Sequence, residues 1–461
     1  MIEFKPVRLE DKATIERYTL HSEICNCDLA FANMFCWQFM YHSAWAEIDG
    51  FLVIRFQMGG GEKIGYMQPV GEGDFSAIIP TLHADAEAHG QRLRLIGLTD
   101  EANDQIRRNH TGLFASESDR DLEDYLYHAD DLRQLTGRHY QAKRNHINRF
   151  TIEYPDYRYE ILTRDRFNEC MQLERQWRQA QHDGHTSELC AEQRAMQRAF
   201  ENFETLGLIG GCIYVADKLI AFTFGSAVNN HTFDTHVEKA DTDYDGAFTI
   251  INKLFAEHLP PHFTLINREE DLGIDGLRHS KLSYRPVFLQ HKYTTTRLFD
   301  DERAVKALWL EAFGDDEAFI DSFLIRYYNR HHALTTQQGS TLTAMLHLIP
   351  FESELGRTTY VYGVATATAF RHHGLASELL RKAETLCRER GDAALLLIAD
   401  GEELRNFYEP LGYGGDTPVE FTTPDHFDFG TGTPSHDRAM LLPLRDALPA
   451  TPTTLHCTLL K

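Results

Sequence analysis

The chain has 461 residues, 42% hydrophobic and 25% charged, a composition that excludes a wholly disordered protein and predicts about three domains of ordinary size. Its 46 Lys and Arg against 69 Asp and Glu leave a net charge of −23, which opposes broad attraction to nucleic acid or an anionic bilayer. Eight scattered cysteines, no signal-peptide pattern after Met1 and no apolar run near the ~18 residues that span a membrane point to a reducing, cytoplasmic setting.

In chain order, a strand near Ile2 leads to helices near Lys12 and Leu29, then strands around Trp45, Val53 and Tyr66. A helix across Phe75 to Ala88, a strand from Leu93 to Ile96 closed by Gly97 and a helix from Glu101 to Arg108 complete this first segment. The order recurs from Tyr157, with helices near Phe167 and Arg194, strands around Ile213, Ala221 and Phe233, a helix near Ile250 and a strand at Phe263 to Ile266. A third segment has helices near Ala304 and Phe319, a hairpin through Gln338-Gly339 and a strand from Tyr360 to Thr366. Its long helix carries Leu375, Leu379, Leu380, Ala383, Leu386 and Cys387 on one face and stops at Gly391. The apolar run Ala393 to Ile398 reads as a strand buried on both faces, followed by a helix at Glu402 to Glu409, a surface excursion from Asp416 to His436 and a strand at Ala439 to Leu442. The expectation is three consecutive α/β domains at residues 1–135, 136–296 and 297–461, each a mixed central sheet flanked by helices. The threonine-rich Tyr293 to Arg297 forms a joint too short to be a flexible tether.

The chemistry concentrates where the strand ending at Thr366 meets the long helix, at Arg371-His372-His373-Gly374-Leu375-Ala376. A helix start offers unpaired N–H groups and the positive end of a dipole. Gly374 and Ala376 remove the bulk that would keep a pyrophosphate from the backbone, and Arg371 adds a bidentate charge contact. This segment resembles the acetyl-CoA loop of the GNAT superfamily of N-acetyltransferases, with Arg or Gln, two variable residues, Gly, one variable residue, then Gly or Ala. The match is complete at Arg371, Gly374 and Ala376, and Asn406-Phe407-Tyr408 with Leu411-Gly412-Tyr413 follow at a family-like distance.

The resemblance implies that all three segments are GNAT-like folds and that the third binds acetyl-CoA. It implies that the pantetheine lies between the strands holding Val364 and Leu396, that Thr366, Arg371, His372, His373, Gly374, Leu375, Ala376 and Asn406 contact the cofactor, and that Tyr408 is the general acid. A positioned phenol suits that role, because an amine attacking a thioester expels a thiolate that needs a proton. The strand Tyr360 to Thr366 has no carboxylate where many members of the superfamily supply a general base, which leaves His347, Glu352, Asp400 or a water relay.

Two earlier stretches, Leu135-Thr136-Gly137-Arg138 through Lys143 to Phe150 and Asn267 to Pro286, resemble a bacterial family similar to the C-terminal domain of phosphatidylglycerol lysyltransferases, over roughly Met1 to Thr294. That resemblance implies two tandem acetyltransferase-like folds and an aminoacyl donor carried on tRNA. On a helix, the stripes His139/Lys143/His146/Phe150 and Tyr140/Arg144/Ile147 mix basic with apolar residues, which suits cations such as Lys143 and Arg144 beside a cleft or paired with the acidic stretch Glu117 to Asp131. Glu269 and Asp271 at a strand end could hold an amine and Arg278 with Lys281 a donor, or these groups could pair among themselves.

In the second segment the loop before the helix, Lys239 to Ala247, carries Asp241, Asp243 and Asp245, which repel a pyrophosphate. The same aspartates imitate a calcium loop, but the twelfth position is Asn252 where a bidentate Glu is needed. Cys25, Cys27 and Cys36 with His21 lack paired zinc spacing and read as buried thiols, so no metal is expected. The sum is an acyltransferase whose third segment acetylates a small-molecule or protein amine. The alternatives are an aminoacyl-tRNA-dependent transferase, with tRNA binding disfavoured by net charge, and an early part that only recognises a ligand for the third segment.

Overall fold

Apolar runs with no polar face to give to water become strands covered on both sides. Lys218–Ala227 and Ala394–Ile398 are the clearest cases, and each lies inside its sheet. The computed structural model describes residues 2–180, 186–425, 427–430, 437–445 and 449–460. The chain forms two compact units, Met1–Thr111 with Ser116–Arg297, and Gly112–Ala115 with Leu298–Lys461.

The first unit carries two mixed sheets. One runs Lys5–Pro6, Ala44–Ile48, Phe51–Met58, Lys63–Met67, Arg94–Leu98 and Tyr293–Arg297 across its width. The other runs Phe288–Gln290, Asp124–His128, Leu265–Asn267, Thr232–Ala240, Lys218–Ala227, Ile209–Val215 and Arg158–Ile161. Strands are therefore exchanged along the chain: Asp124–His128, early in sequence, is built into the second sheet, and Tyr293–Arg297, late in sequence, into the first. The two sheets share one core, in which Leu29, Phe31 and Phe35 belong to the same buried cluster as Cys170, Phe200, Phe222 and Phe224. Further buried clusters of this unit gather around Tyr125 and Phe233 and around Phe150 and Ile213.

The sheet of the second unit runs Ala333–Gln338, Thr341–Ser353, Gly356–Thr366, Ala394–Ile398, Arg438–Pro443, Gly414–Thr422 and Leu455–Leu459, and the last strand also pairs with Thr341–Ser353. In each of the three sheets one parallel pair is joined through a helix, as a parallel connection requires, and the late sheet has a second parallel pair, Gly414–Thr422 with Leu455–Leu459. Ile79–Ala88 joins Lys63–Met67 to Arg94–Leu98, Ala247–His258 joins Thr232–Ala240 to Leu265–Asn267, and Leu375–Arg390 joins Gly356–Thr366 to Ala394–Ile398.

Three elements differ from expectation. The first strand is Lys5–Pro6 rather than one at Ile2. The supposed joint Tyr293–Arg297 is a strand, because threonine favours extended backbone and the buried Thr295 hydroxyl is satisfied by Asn103 and Ser116. The supposed excursion begins as the strand Gly414–Thr422, with Phe427 and Phe429 buried just beyond it, while residues 426 and 431–436 of that stretch lie outside the described residues.

Candidate functional site

The strand Gly356–Thr366 is the base of the late site. It pairs with Ala394–Ile398 only from Thr358↔Ala394 to Tyr360↔Leu396, yet stays paired with Thr341–Ser353 as far as Thr366↔Ala344. Beyond Tyr360 the two parallel strands therefore part, and Tyr362, Gly363 and Val364 become half-buried along the opened edge. A bulge marks the parting. The register slips between Met345 and His347, and Gly363 takes φ +59°, a backbone conformation that favours glycine. A side chain at Gly363 would press on the Trp309 ring at 3.2 Å and on His347 Nδ1 at 3.3 Å.

From the parted strand the chain runs through residues 367–374 into the helix Leu375–Arg390. Gly374 is its N-cap at φ +77°, and nothing lies within 4 Å of where its side chain would be. Arg371, His372, His373 and Gly374 are all exposed, and Leu375 and Ala376 are half-buried. His372 adopts φ +65°, unfavourable for a non-glycine residue and held by its surroundings. His373 Nδ1 lies 2.8 Å from the Arg371 carbonyl, and Arg371 Nε donates to the Thr366 carbonyl at 3.4 Å, which ties the loop back onto the strand end.

Tyr408 closes the helix Glu402–Tyr408 and is buried, with its ring against Phe407 and Tyr413. Burial pushes its phenol up to about 12, so it keeps its proton at neutral pH. Asn406, two residues earlier, is exposed. Of the three candidate bases, Glu352 pairs opposite Arg357 at the far end of the strand from the parting. His347 is buried among the rings of Trp309, Phe323 and Tyr328, and burial holds its imidazole down at about 4. Asp400 alone follows the parting strand and is exposed.

In the first unit the expected cations are already engaged. Arg144 donates to the carbonyls of Leu135 and Gly137, capping the preceding turn rather than lining a cleft. Lys143 sits 3.8 Å over the Tyr284 ring, and burial, with the Arg268 charge adding, lowers it to about 8. The acidic partner on this helix is Asp245, which Arg149 reaches at 2.8 Å, rather than the stretch Glu117 to Asp131. Arg278 grips the buried Asp271 and also Asp121. Lys281, itself buried, donates to the backbone carbonyls of Arg268, Glu269 and Glu270. These three residues shape the loop after Leu265–Asn267. Glu269 differs, because the loop turns its carboxylate into a polar centre, with φ +55° at that residue.

That centre was not visible in the sequence. Cys27, Asn33, Asp124, Asp234, His236, Asn267, Glu270 and Lys292 assemble there with Glu269, from positions spread over most of the first unit. On one side Lys292 Nζ lies 2.6 Å from Asp124, 3.4 Å from Asp28 and from Cys27 Sγ, and 3.6 Å from Glu270. Burial opposes the lysine charge, but Asp124, Asp28, Cys27 and Glu270 together outweigh it and hold the ammonium protonated. On the other side His236 Nδ1 is 3.0 Å from Asp234 and 3.5 Å from Glu269. Burial disfavours its charged form, yet the Asp234 carboxylate pushes it up to about 9. Burial, with the Asp234 charge adding, raises Glu269 to about 7.

The same parting of strands that opens the late wedge occurs here. Thr232–Ala240 pairs with Leu265–Asn267 only as far as Asp234↔Asn267 and then runs on to Ala240. The gap is filled by side chains, with Arg268 donating to Glu238 at 2.9 Å and His236 meeting Glu269.

Comparison with known families matches residues 22–296 to the C-terminal domain of phosphatidylglycerol lysyltransferase. The chain belongs to that family. Residues 298–415 match an acetyltransferase (GNAT) domain, which follows the lysyltransferase-type region. It is similar to a conserved protein of unknown function from Bacteroides thetaiotaomicron, at 44% identity and TM-score 0.63 over 65% of this chain and 100% of that one. The L-PGS structure from Bacillus licheniformis is 15% identical at TM-score 0.47, over 64% of this chain and 94% of that chain. An uncharacterized protein of Mycoplasmoides gallisepticum is 28% identical over 173 residues, 37% of this chain, and the chain spans about half the length (54%) of that curated relative. Among the described residues no helix is long and apolar enough to cross a membrane.

Proposed function

We propose that the second unit is an acetyl-CoA-dependent N-acetyltransferase acting on a small-molecule or protein amine. The observation that carries the reading is the wedge between Gly356–Thr366 and Ala394–Ile398, followed in the chain by the bare N-cap of Gly374. The residues fit the cofactor. The first N–H groups of a 16-residue helix are unpaired and point outward beside Arg371, and a pyrophosphate meets no side chain at Gly374. The unpaired edge at Tyr362 to Val364 offers amide and carbonyl groups to a pantetheine chain, as an added strand would use them, with Thr366 at its outer end and the exposed Asn406 as a further contact.

When bound, acetyl-CoA supplies a thioester whose carbonyl carbon accepts the amine and whose sulfur leaves. Tyr408 holds the proton that the leaving sulfur needs, and its burial keeps that proton in place until transfer. Backbone N–H groups on the opened edge stabilise charge on the carbonyl oxygen. Asp400, exposed at the end of the neighbouring strand, is placed to take the proton from the amine through solvent.

Acetyl-CoA use is proposed for the second unit alone, because Glu238, Arg268, His236 and Glu269 fill the equivalent gap in the first. Calorimetric titration of the full chain tests both statements: one acetyl-CoA per chain is expected, and Gly374→Glu should remove it. Binding that survives that substitution would overturn the assignment, and binding of aminoacyl-tRNA would give the lysyltransferase-type region a transfer reaction of its own.

A further inference from the structure

We propose that Cys27, Asp234, His236 and Glu269 form a binding site for a divalent metal ion of the zinc class, a clasp inside the first unit independent of the acetyl-CoA reading. The Cys27 sulfur and one carboxylate oxygen each of Asp234 and Glu269 lie within 4.8 Å of one another. His236 Nδ1 adds a fourth donor, 3.0 Å from Asp234 and 3.5 Å from Glu269. Tetrahedral zinc with bonds of about 2.0–2.3 Å sets its ligand atoms roughly 3.3–3.8 Å apart, so His236 already stands near that spacing from each carboxylate, and Cys27 must draw in toward them.

Three observations single out these donors within the larger acidic cluster. First, a second trio of Cys27, Asp124 and Glu270 has comparable spacing, but Lys292 sits among its members and supplies their positive charge. Among the described residues no lysine ammonium pairs with the Asp234 or Glu269 carboxylate; Lys281 meets Glu269 at its backbone carbonyl, and the carboxylates face His236 and the Asn33 amide, which lies 3.2 Å from each of them. Second, Asp234 is fully buried and its Oδ1 has no hydrogen-bond partner, a costly arrangement for a carboxylate unless something binds there. Third, the other ring nitrogen of His236 lies 2.8 Å from the Ser226 hydroxyl. With Nε2–H donated to Ser226, the ring is held so that Nδ1, once its own proton is displaced, faces an ion among the carboxylates, the outer-shell arrangement that orients metal-binding histidines.

The donor set, one sulfur, one imidazole nitrogen and two carboxylate oxygens, favours zinc or cobalt over magnesium or calcium. Four protein ligands leave no open position, which makes the ion a structural tie between the segment after Cys25 and the strand Thr232–Ala240. Binding forms metal–sulfur and metal–nitrogen bonds, breaks the Cys27 S–H and His236 Nδ1–H bonds and releases both protons to solvent, together with any proton held on Glu269.

The test is titration of the metal-free full chain with Co²⁺, following the thiolate-to-cobalt absorption band, and with Zn²⁺ by calorimetry. One equivalent per chain is expected, with a rise in the melting temperature of the first unit. Cys27→Ser should abolish the band, and Glu269→Gln, at a partly exposed position, should weaken zinc binding by about 10–100-fold in a chain that still folds. Cys190→Ser, at an exposed thiol away from the cluster, should change neither. A band that persists in Cys27→Ser, a band lost in Cys190→Ser, or zinc affinity unchanged by Glu269→Gln would each overturn the site.

Discussion

The parted strands of the second and third sheets differ in what occupies the gap. In the second unit the gap beyond Tyr360 is bordered by backbone, half-buried apolar residues and a bare glycine cap. In the first, the gap beyond Asp234 holds Glu238, His236, Arg268 and Glu269 in pairs. The lesson is that the same sheet geometry offers a groove or a polar core according to whether the residues flanking the break are small and apolar or long and charged. A groove of the first kind can admit a ligand, whereas one of the second kind must satisfy its own charges before anything else can enter.

The largest expected effect attacks the filled side of that contrast. Lys292→Met leaves the fully buried Asp124 without its lysine, and should cost about 3–5 kcal/mol of first-unit stability in urea denaturation. Adding Asp124→Asn should recover much of the loss, and a loss under about 1 kcal/mol would mean that water already reaches these charges. On the open side, Gly374→Glu puts bulk and negative charge at the helix mouth and should weaken acetyl-CoA about 10³-fold by calorimetry, at a stability cost of about 1–2 kcal/mol from the left-handed backbone.

A pH experiment separates the two units by their histidines. Burial lowers His347 from its ordinary 6.5 to about 4, so the unfolded chain binds the proton more readily than the folded one. The stability this lends the second unit is complete above pH 6.5 and is lost as the pH falls toward 4, on the order of 3 kcal/mol in all. His347→Phe should flatten that acid limb of the stability profile; an unchanged limb would show that another group governs it. The smallest effect expected is catalytic. Tyr408→Phe should lower kcat about 10²-fold while leaving the KM for acetyl-CoA unchanged, and a changed KM with normal kcat would give the tyrosine a packing role only.

How much was legible follows from the distance between the residues involved. Arg371 to Ala376 lie within six positions, so strand, turn and helix start could be read together from one stretch of sequence. Cys27 and Lys292 are 265 positions apart, and no local pattern connects them. Arg278 and Lys281 were visible as a cationic pair on one helix, but nothing nearby in sequence said that one would grip Asp271 and the other three backbone carbonyls. Tyr293–Arg297 was misjudged for the same reason, since its partner strand Arg94–Leu98 lies about 200 residues earlier.

Composition, periodicity and the spacing of small and charged residues determined that this protein is α/β, with helices flanking mixed sheets, and where the glycine-capped start of the long late helix lies. These follow from interactions within a few turns of chain, which local side chains govern. Only the tertiary structure decided that two early sheets share a core and exchange strands, and that Cys27, Asp234, His236 and Glu269 meet. Burial and charge pairing act between whatever surfaces come together, and distant segments of a chain do not carry that information until they touch.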